Sequence, residues 1–143
     1  MGVIPDLDGV AGRLIGLPFR FGGRAVPDGL DCWGVVLVLY RDAFGIELPS
    51  YAGLSTANQD LAQHAANAFH LNATDWLPIK SGCERPGDVV LFRRFGLPLH
   101  VGVVLEVGRM INSDVPAGVV QARYDGATWA HRIIGFYRHP QLA

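Results

Sequence analysis

The second half of this 143-residue chain contains a series of short apolar stretches, and they constrain the fold more than any other feature. Each stretch is rich in Val, Ile, Phe or Tyr, and turn residues separate them at regular intervals. This pattern predicts an antiparallel sheet with strands at residues 87–94, 99–107, 108–113, 118–124 and 131–138.

The first half has the spacing of helices instead. Residues 6–16 predict a short helix that Asp6 can cap, and residues 32–44 predict a buried central helix that ends at Gly45. Residues 55–69 predict a third helix. Helices followed by strands indicate the α+β class, with the N-terminal helices packed on the sheet. Without repeats or a long linker, residues 1–143 are expected to form one domain.

Composition excludes several classes of function. The net charge is −1, from 12 basic and 13 acidic residues, and the absence of a basic stripe argues against nucleic-acid binding. The longest apolar run, residues 35–40, is too short to cross a bilayer. The first residues do not form a signal peptide, so we expect cytoplasmic synthesis without membrane insertion. Neither Cys32 nor Cys83 has zinc-ligand spacing, so two free thiols and neither metal nor cofactor are expected.

Cys32 stands out because it lies where a loop becomes the central helix. Unpaired backbone N–H groups and the positive end of the helix dipole favour a thiolate there, and the thiolate is the nucleophilic form of cysteine. The same N–H groups could hold an oxyanion. The alternative is that Cys32 is simply a small core residue at the start of a helix.

A nucleophilic cysteine needs a base and a group that orients the base. His100 lies on the strand 99–107 and is expected to place its imidazole against the central helix. Asn112 lies on the next strand, across a turn at residues 106–108, where its amide oxygen could accept the N–H of His100. Taken singly, each could be an ordinary polar residue of a sheet. Four other histidines are weaker candidates: His64 and His70 are expected at the surface, His131 at the start of the last strand, and His139 near a frayed end.

Three sequence blocks together resemble the NlpC/P60 cysteine peptidases. They are "GLPFRFGG…GLDCWGVV", "RPGDVVLF" and "HVGVVLEVGRMINS", and they occur in the family's order. The resemblance implies a papain-like α+β fold that cuts the γ-D-glutamyl to diamino-acid bond of peptidoglycan stem peptides. It assigns Cys32 as the nucleophile, His100 as the general base and Asn112 as the third polar residue.

The resemblance also implies substrate contacts and includes two departures. Asp31 matches a position that helps bind the amino end of the substrate in some members. Phe19 replaces a tyrosine whose hydroxyl assists the oxyanion or the substrate, and Trp33 replaces a common serine; both are expected to line the substrate site. The "DCWG" block on a bare domain resembles members from phage tails and phage-derived particles, which implies such particles as partners and location. Two alternatives remain: an inactive structural tail protein on the same fold, and a thiol amidase or acyltransferase with another substrate.

Overall fold

The computed structural model describes residues 6–50 and 75–143 of the chain. The first helix, α1, spans Leu7–Leu14, and the Asp6 carboxylate caps it by accepting the N–H of Gly9 at 3.0 Å. The predicted helix at 6–16 is therefore confirmed, together with its cap. The predicted helix at 55–69 lies outside the described residues.

The central helix, α2, spans Cys32–Leu39 and continues as one wider π-helical turn over Tyr40–Phe44. Gly45 ends it in the left-handed conformation, with φ of 68°, as predicted. Apolar side chains surround α2 on almost all sides and are buried, which fits a helix in the middle of the domain. None of the described helices is long and apolar enough to cross a membrane.

Six strands form the main sheet, and every neighbouring pair in it is antiparallel. A separate ribbon of β1 (Arg24–Ala25) and β2 (Gly29–Leu30) precedes α2. The six strands are β3 (Leu77–Ile79), β4 (Val89–Arg94), β5 (Leu97–Glu106), β6 (Arg109–Asp114), β7 (Gly118–Arg123) and β8 (Ile133–Arg138), in the spatial order β3-β8-β4-β5-β6-β7.

The structure confirms the predicted α+β class and all five predicted strands, which correspond to β4–β8. The remaining strands, β1, β2 and β3, are only two or three residues long, and the sequence did not predict them. Such short segments have no measurable alternation of apolar and polar residues. They can be recognised as strands only from their pairing with other strands in the folded chain.

Alternation along the strands divides the apolar residues between two cores. Val101 and Val103 of β5 pack with α2 in the larger core, as does Leu91 of β4. The intervening positions face the other side of the sheet, where a smaller core contains Val90, Phe92, Val104, Met110, Tyr124, Trp129 and Phe136.

Glycines allow the loop before α2 to approach the helix closely. A Cβ on Gly34 would lie 2.3 Å from the carbonyl oxygen of Gly23, far inside contact distance. Gly29 has φ of 108°, and a Cβ there would lie 2.6 Å from the carbonyl oxygen of Pro18. The glycines of the "GLDCWG" block are therefore needed for backbone packing around the cysteine.

We expect Gly34→Ala to lower the free energy of unfolding by about 1–3 kcal/mol, the usual cost of overpacking. Gly12→Ala is the matched control, because nothing lies within 4 Å of its Cβ position in α1. This control should raise stability by about 0.5–1 kcal/mol, since alanine is the better helix former. Urea unfolding of the three proteins measures both effects, and equal stability of Gly34→Ala and the parent would contradict the packing argument.

Candidate active site

Cys32 is the first residue of α2 and is only 2% exposed. Asp31 precedes it as the N-cap, and its Oδ1 accepts the N–H of Gly34 at 2.7 Å while its carbonyl oxygen accepts the N–H of Val35 at 3.2 Å. The N–H of Cys32 has no hydrogen-bond partner among the described residues. The start of the helix therefore presents the thiol together with an open amide donor.

The Asp31 carboxylate is buried and bonded to several internal partners. Besides Gly34, its Oδ1 receives the Arg24 guanidinium at 2.7 Å, and its Oδ2 receives the N–H of Gly22 at 3.0 Å. These contacts compensate the charge of a fully buried carboxylate. The predicted role of Asp31 in binding the amino end of a substrate stays a prediction; in this structure its oxygens hold the loop.

His100 and Asn112 form a direct side-chain contact in the interior. The Nε2 atom of His100 lies 3.0 Å from Oδ1 of Asn112, and the two residues are 2% and 1% exposed. A hairpin joins their strands, with Glu106 paired to Arg109 across the turn, so the predicted hairpin and contact are confirmed. An amide oxygen can only accept, so Nε2 carries the proton in the neutral ring and Nδ1 is left as the proton acceptor.

The face of β5 that carries His100 differs from the prediction. Its imidazole stacks on Trp129, with ring centroids 5.0 Å apart and planes 13° apart, and it also contacts Phe92 at 5.8 Å. Both aromatic residues belong to the smaller core, on the side of the sheet away from α2. Because Val101 and Val103 face α2, the period of two places His100 on the opposite face. The expectation that the imidazole packs against the central helix was wrong.

The thiol of Cys32 meets β5 at the peptide group that follows His100. The N–H of Val101 donates to the Cys32 sulfur. No hydrogen bond joins that sulfur to the His100 ring within residues 6–50 and 75–143. Catalytic hydrogen bonds of an unliganded site are often formed only when substrate binds, so this arrangement is compatible with a nucleophile and its base.

Burial determines the resting charges of the pair. Desolvation, and after it the Asp31 carboxylate, raise the pKa of the Cys32 thiol to about 12. Desolvation also lowers the pKa of His100 to about 4. Thiol and imidazole are therefore both neutral at pH 7. The expectation that the helix start favours a thiolate was wrong for the resting site, because removal from water outweighs the helix terminus.

Phe19 and Trp33, the other predicted substrate residues, are both packed. The ring of Phe19 contacts that of Phe21 edge to face at 4.8 Å and is partly buried against the larger core. Trp33 is 1% exposed, and its Nε1 donates to the carbonyl oxygen of Pro49 at 2.8 Å. Their roles toward a substrate stay predictions.

No hydrogen bond joins Cys32 or His100 to the other described cysteine and histidines, which are Cys83, His131 and His139. Cys83 is exposed, and both cysteines are free. His131 lies in a short 3₁₀ turn before β8 and is exposed. His139 is not frayed as expected, because it packs edge to face on Trp76 at 5.0 Å. His64 and His70 lie outside the described residues, in which no group of three His, Cys, Asp or Glu side chains could hold a metal ion.

Sequence reasoning missed three contributors to the site. Trp129 supplies the surface on which the imidazole stacks, Arg24 neutralises the cap of the nucleophile helix, and Ser113 donates to the carbonyl oxygen of Leu30 at 2.6 Å. The last contact joins the strand of Asn112 to the loop before Cys32. None of the three belongs to a periodic pattern, although Ser113 directly follows Asn112 in a recognised block.

Comparison with known proteins supports the resemblance found in the sequence. The profile of the NlpC/P60 family matches residues 16–138. Murein DD-endopeptidase MepH of Escherichia coli is 36% identical over 101 residues, covering 69% of this chain and 32% of the relative. Gamma-DL-glutamyl hydrolase of Bacillus subtilis is 27% identical over 141 residues, covering 92% of this chain and 28% of the relative. The chain spans about a third to a half of the length of the first curated relatives.

Solved structures show the same fold. An NLP/P60-family protein similar to a lipoprotein from Staphylococcus aureus superposes with a TM-score of 0.68 at 24% identity, covering 92% of this chain and 39% of that one. The NlpC/P60 domain of the peptidoglycan hydrolase SagA superposes with a TM-score of 0.62 at 20% identity, covering 92% and 94%. These likenesses establish the papain-like α+β architecture expected from the sequence blocks.

The buried imidazole makes the stability of the fold depend on pH. Because the folded pKa of His100, about 4, lies below the ordinary 6.5, the unfolded chain binds more protons than the folded chain between these values. Its contribution is present above pH 6.5 and is lost as the pH falls toward 4. We expect this loss to be about 1.5 kcal/mol between pH 6.5 and pH 5.

The variant His100→Gln retains an amide that can bond to Asn112 but does not titrate, so its unfolding free energy should fall less over this range. His131→Gln, at an exposed position, should behave like the parent. Urea unfolding at both pH values gives the comparison. Parallel pH profiles for the parent and His100→Gln would show that His100 is not held neutral by burial.

Proposed function

Because the chain belongs to the NlpC/P60 family, we propose that it is a cysteine peptidase that hydrolyses peptidoglycan stem peptides. The catalytic unit of this proposal is one domain, residues 1–143. Cys32 is the nucleophile, His100 the general base, and Asn112 the residue that orients the base. No metal or cofactor takes part.

The contact between His100 and Asn112 is the observation that carries the proposal. The ring nitrogens of a buried histidine on a sheet can form hydrogen bonds with any backbone group. Here an amide oxygen lies 3.0 Å from Nε2 and selects one tautomer. In that tautomer Nδ1 carries no proton and can accept one. A neutral Cys32 thiol needs such an acceptor before it can attack a carbonyl. The three residue types and their chain order match those of a thiol hydrolase.

In the proposed reaction, substrate binding brings the thiol and Nδ1 of His100 together. The thiol proton passes to Nδ1 as the sulfur attacks the amide carbonyl, so the charged pair forms only during the reaction. The imidazolium then gives its proton to the leaving amine, and the first product departs. Water, deprotonated by the same ring, attacks the thioester and releases the acyl product with regeneration of the thiol.

The oxyanion of the tetrahedral intermediate is held by the N–H of Cys32 and by one neighbouring donor. The Cys32 amide is suited to this because Asp31 already caps Gly34 and Val35, which leaves the first donor of α2 open. Phe19 has no hydroxyl and supplies no donor at the position where relatives have tyrosine. The second donor therefore comes from elsewhere in the site.

The substrate class follows from the relatives. Their names specify murein endopeptidases in Escherichia coli and a gamma-DL-glutamyl hydrolase in Bacillus subtilis. Within this class we propose the γ-D-glutamyl to diamino-acid bond, which the sequence blocks imply.

We further propose that the chain acts in a phage tail or a phage-derived particle and opens the cell wall locally. The support is the "DCWG" block, in which Trp33 replaces the common serine, together with Phe19 in place of tyrosine. Mass spectrometry of particles purified from a producing strain tests this role. The chain should be present in intact particles and absent from particles of a strain that lacks its gene.

Digestion of purified peptidoglycan and of a free stem peptide tests the activity. The parent should release new fragments cut after γ-D-glutamate, and Cys32→Ala should release none, with products identified by mass spectrometry. Cys83→Ala is the matched control, because this second cysteine is exposed and lies away from His100, so it should cleave as the parent does.

Asn112→Ala should lower kcat by roughly 10²-fold or more, since the base then loses its preferred tautomer. A folded parent protein that cuts neither substrate would reject the peptidase and favour a structural role on the same fold. Cleavage at a different bond would retain the enzyme and replace the proposed specificity.

A further inference from the structure

A pocket of about 390 Å³ lies at the end of the hairpin formed by β4 and β5. We call it the arginine pocket; its lining residues are Arg93, Arg94, Phe95, Gly96, His131 and Arg132. Three arginines and one histidine line this pocket, and no carboxylate is among the lining residues. A pocket of this composition attracts anions.

Two of the three arginines are available to a ligand. Arg94 forms an ion pair with Asp114. The Asp114 carboxylate accepts hydrogen bonds from Nη1 and Nη2 of Arg94 at 3.0 and 2.5 Å. In contrast, neither Arg93 nor Arg132 forms an ion pair with any residue of 6–50 and 75–143. Arg93 makes only a long contact of 3.5 Å to the carbonyl oxygen of His131. Within the described part of the chain, the pocket therefore contains two positive charges without counter-charges.

The arginine pocket lies next to the proposed catalytic base. The Arg132 guanidinium carbon is 5.5 Å from the centre of the Trp129 ring, and this ring stacks on His100 at 5.0 Å. A ligand group in the pocket is therefore separated from the imidazole by a single aromatic ring.

Phe95 provides a second, independent observation. It occupies the two-residue turn between β4 and β5 with φ of 55°, a left-handed conformation that is costly for an aromatic residue. Its side chain is 85% exposed, so no packing inside the protein compensates this cost. An asparagine or glycine would form the same turn more easily. Contact with the apolar part of a ligand would account for a strained and exposed phenyl ring at the edge of the pocket.

We propose that the arginine pocket binds a carboxylate of the peptide substrate, with Arg93 and Arg132 as its ligands and Phe95 covering the adjoining methylene groups. This inference rests on the proposed function. A stem peptide provides such groups, because its γ-linked glutamate and its diamino acid both carry free carboxylates. The pocket would therefore select peptides with a free carboxylate over peptides in which it is amidated.

Binding is measured in the Cys32→Ala background, which cannot cut the ligand. The probes are the tripeptide L-alanyl-γ-D-glutamyl-diaminopimelate and the same tripeptide with its carboxylates converted to carboxamides. Cys32→Ala should bind the carboxylate form about tenfold more tightly, the effect of a charge-assisted hydrogen bond. Adding Arg93→Gln and Arg132→Gln should remove this preference. Arg85→Gln, in the segment that precedes β4, is the matched control and should retain it.

Equal Kd values for the two peptides in Cys32→Ala, or a preference that survives the loss of both arginines, would overturn the inference. Cleavage by the protein with Cys32 intact separates this from the proposed function. Cleavage of both forms with equal kcat/KM rejects the inference alone. A carboxylate preference in binding without any cleavage supports the pocket and rejects the peptidase.

The variant Phe95→Asn distinguishes a ligand contact from a structural role. Relief of the left-handed strain should raise its Tm above that of the parent, while KM for the carboxylate peptide increases and kcat stays within twofold. An unchanged KM together with a raised Tm would show that Phe95 does not contact the substrate.

Discussion

The buried carboxylate of Asp31 is the interaction on which the site depends. It caps α2 through Gly34, fixes the preceding loop through Gly22, and pairs with the Arg24 guanidinium. Removing one partner of such a buried pair leaves an uncompensated charge, which is far more costly than the loss of a surface ion pair. The position of the Cys32 backbone therefore follows from an electrostatic requirement.

This requirement also has a chemical consequence for the thiol. The negative charge that holds the helix start lies beside the sulfur and, with burial, raises the pKa of Cys32. The positive end of the helix dipole would stabilise a thiolate in water. Here it already interacts with the Asp31 carboxylate. The sequence predicted that the start of α2 both positions and ionises the thiol, but the site separates these two roles. The helix terminus positions the thiol, whereas in the proposed reaction its deprotonation is left to His100.

The parts predicted from the sequence are those that depend on local patterns. Strands β4–β8 and the cap of α1 follow from alternation and capping chemistry, and Cys32, His100 and Asn112 stand in blocks of recognisable type. The resting charges were not predictable, because desolvation depends on how many other residues cover a group. The stacking of Trp129 on His100 was not predictable either, since residues in turns carry no periodicity and their contacts form only in the folded chain.

Three consecutive residues of β5, the segment "HVG" at 100–102, each contribute a different contact to the site. His100 contacts Asn112 on one face of β5, and the N–H of Val101 donates to the Cys32 sulfur. A Cβ on Gly102 would lie 2.6 Å from the sulfur of Met110 and 3.5 Å from the Cβ of Asn112. The glycine therefore lets β6 approach closely enough for Asn112 to reach the imidazole. Three consecutive residues of β5 therefore contact the proposed nucleophile, carry the proposed base and make room for Asn112, so a shift of β5 by one residue would break all three arrangements.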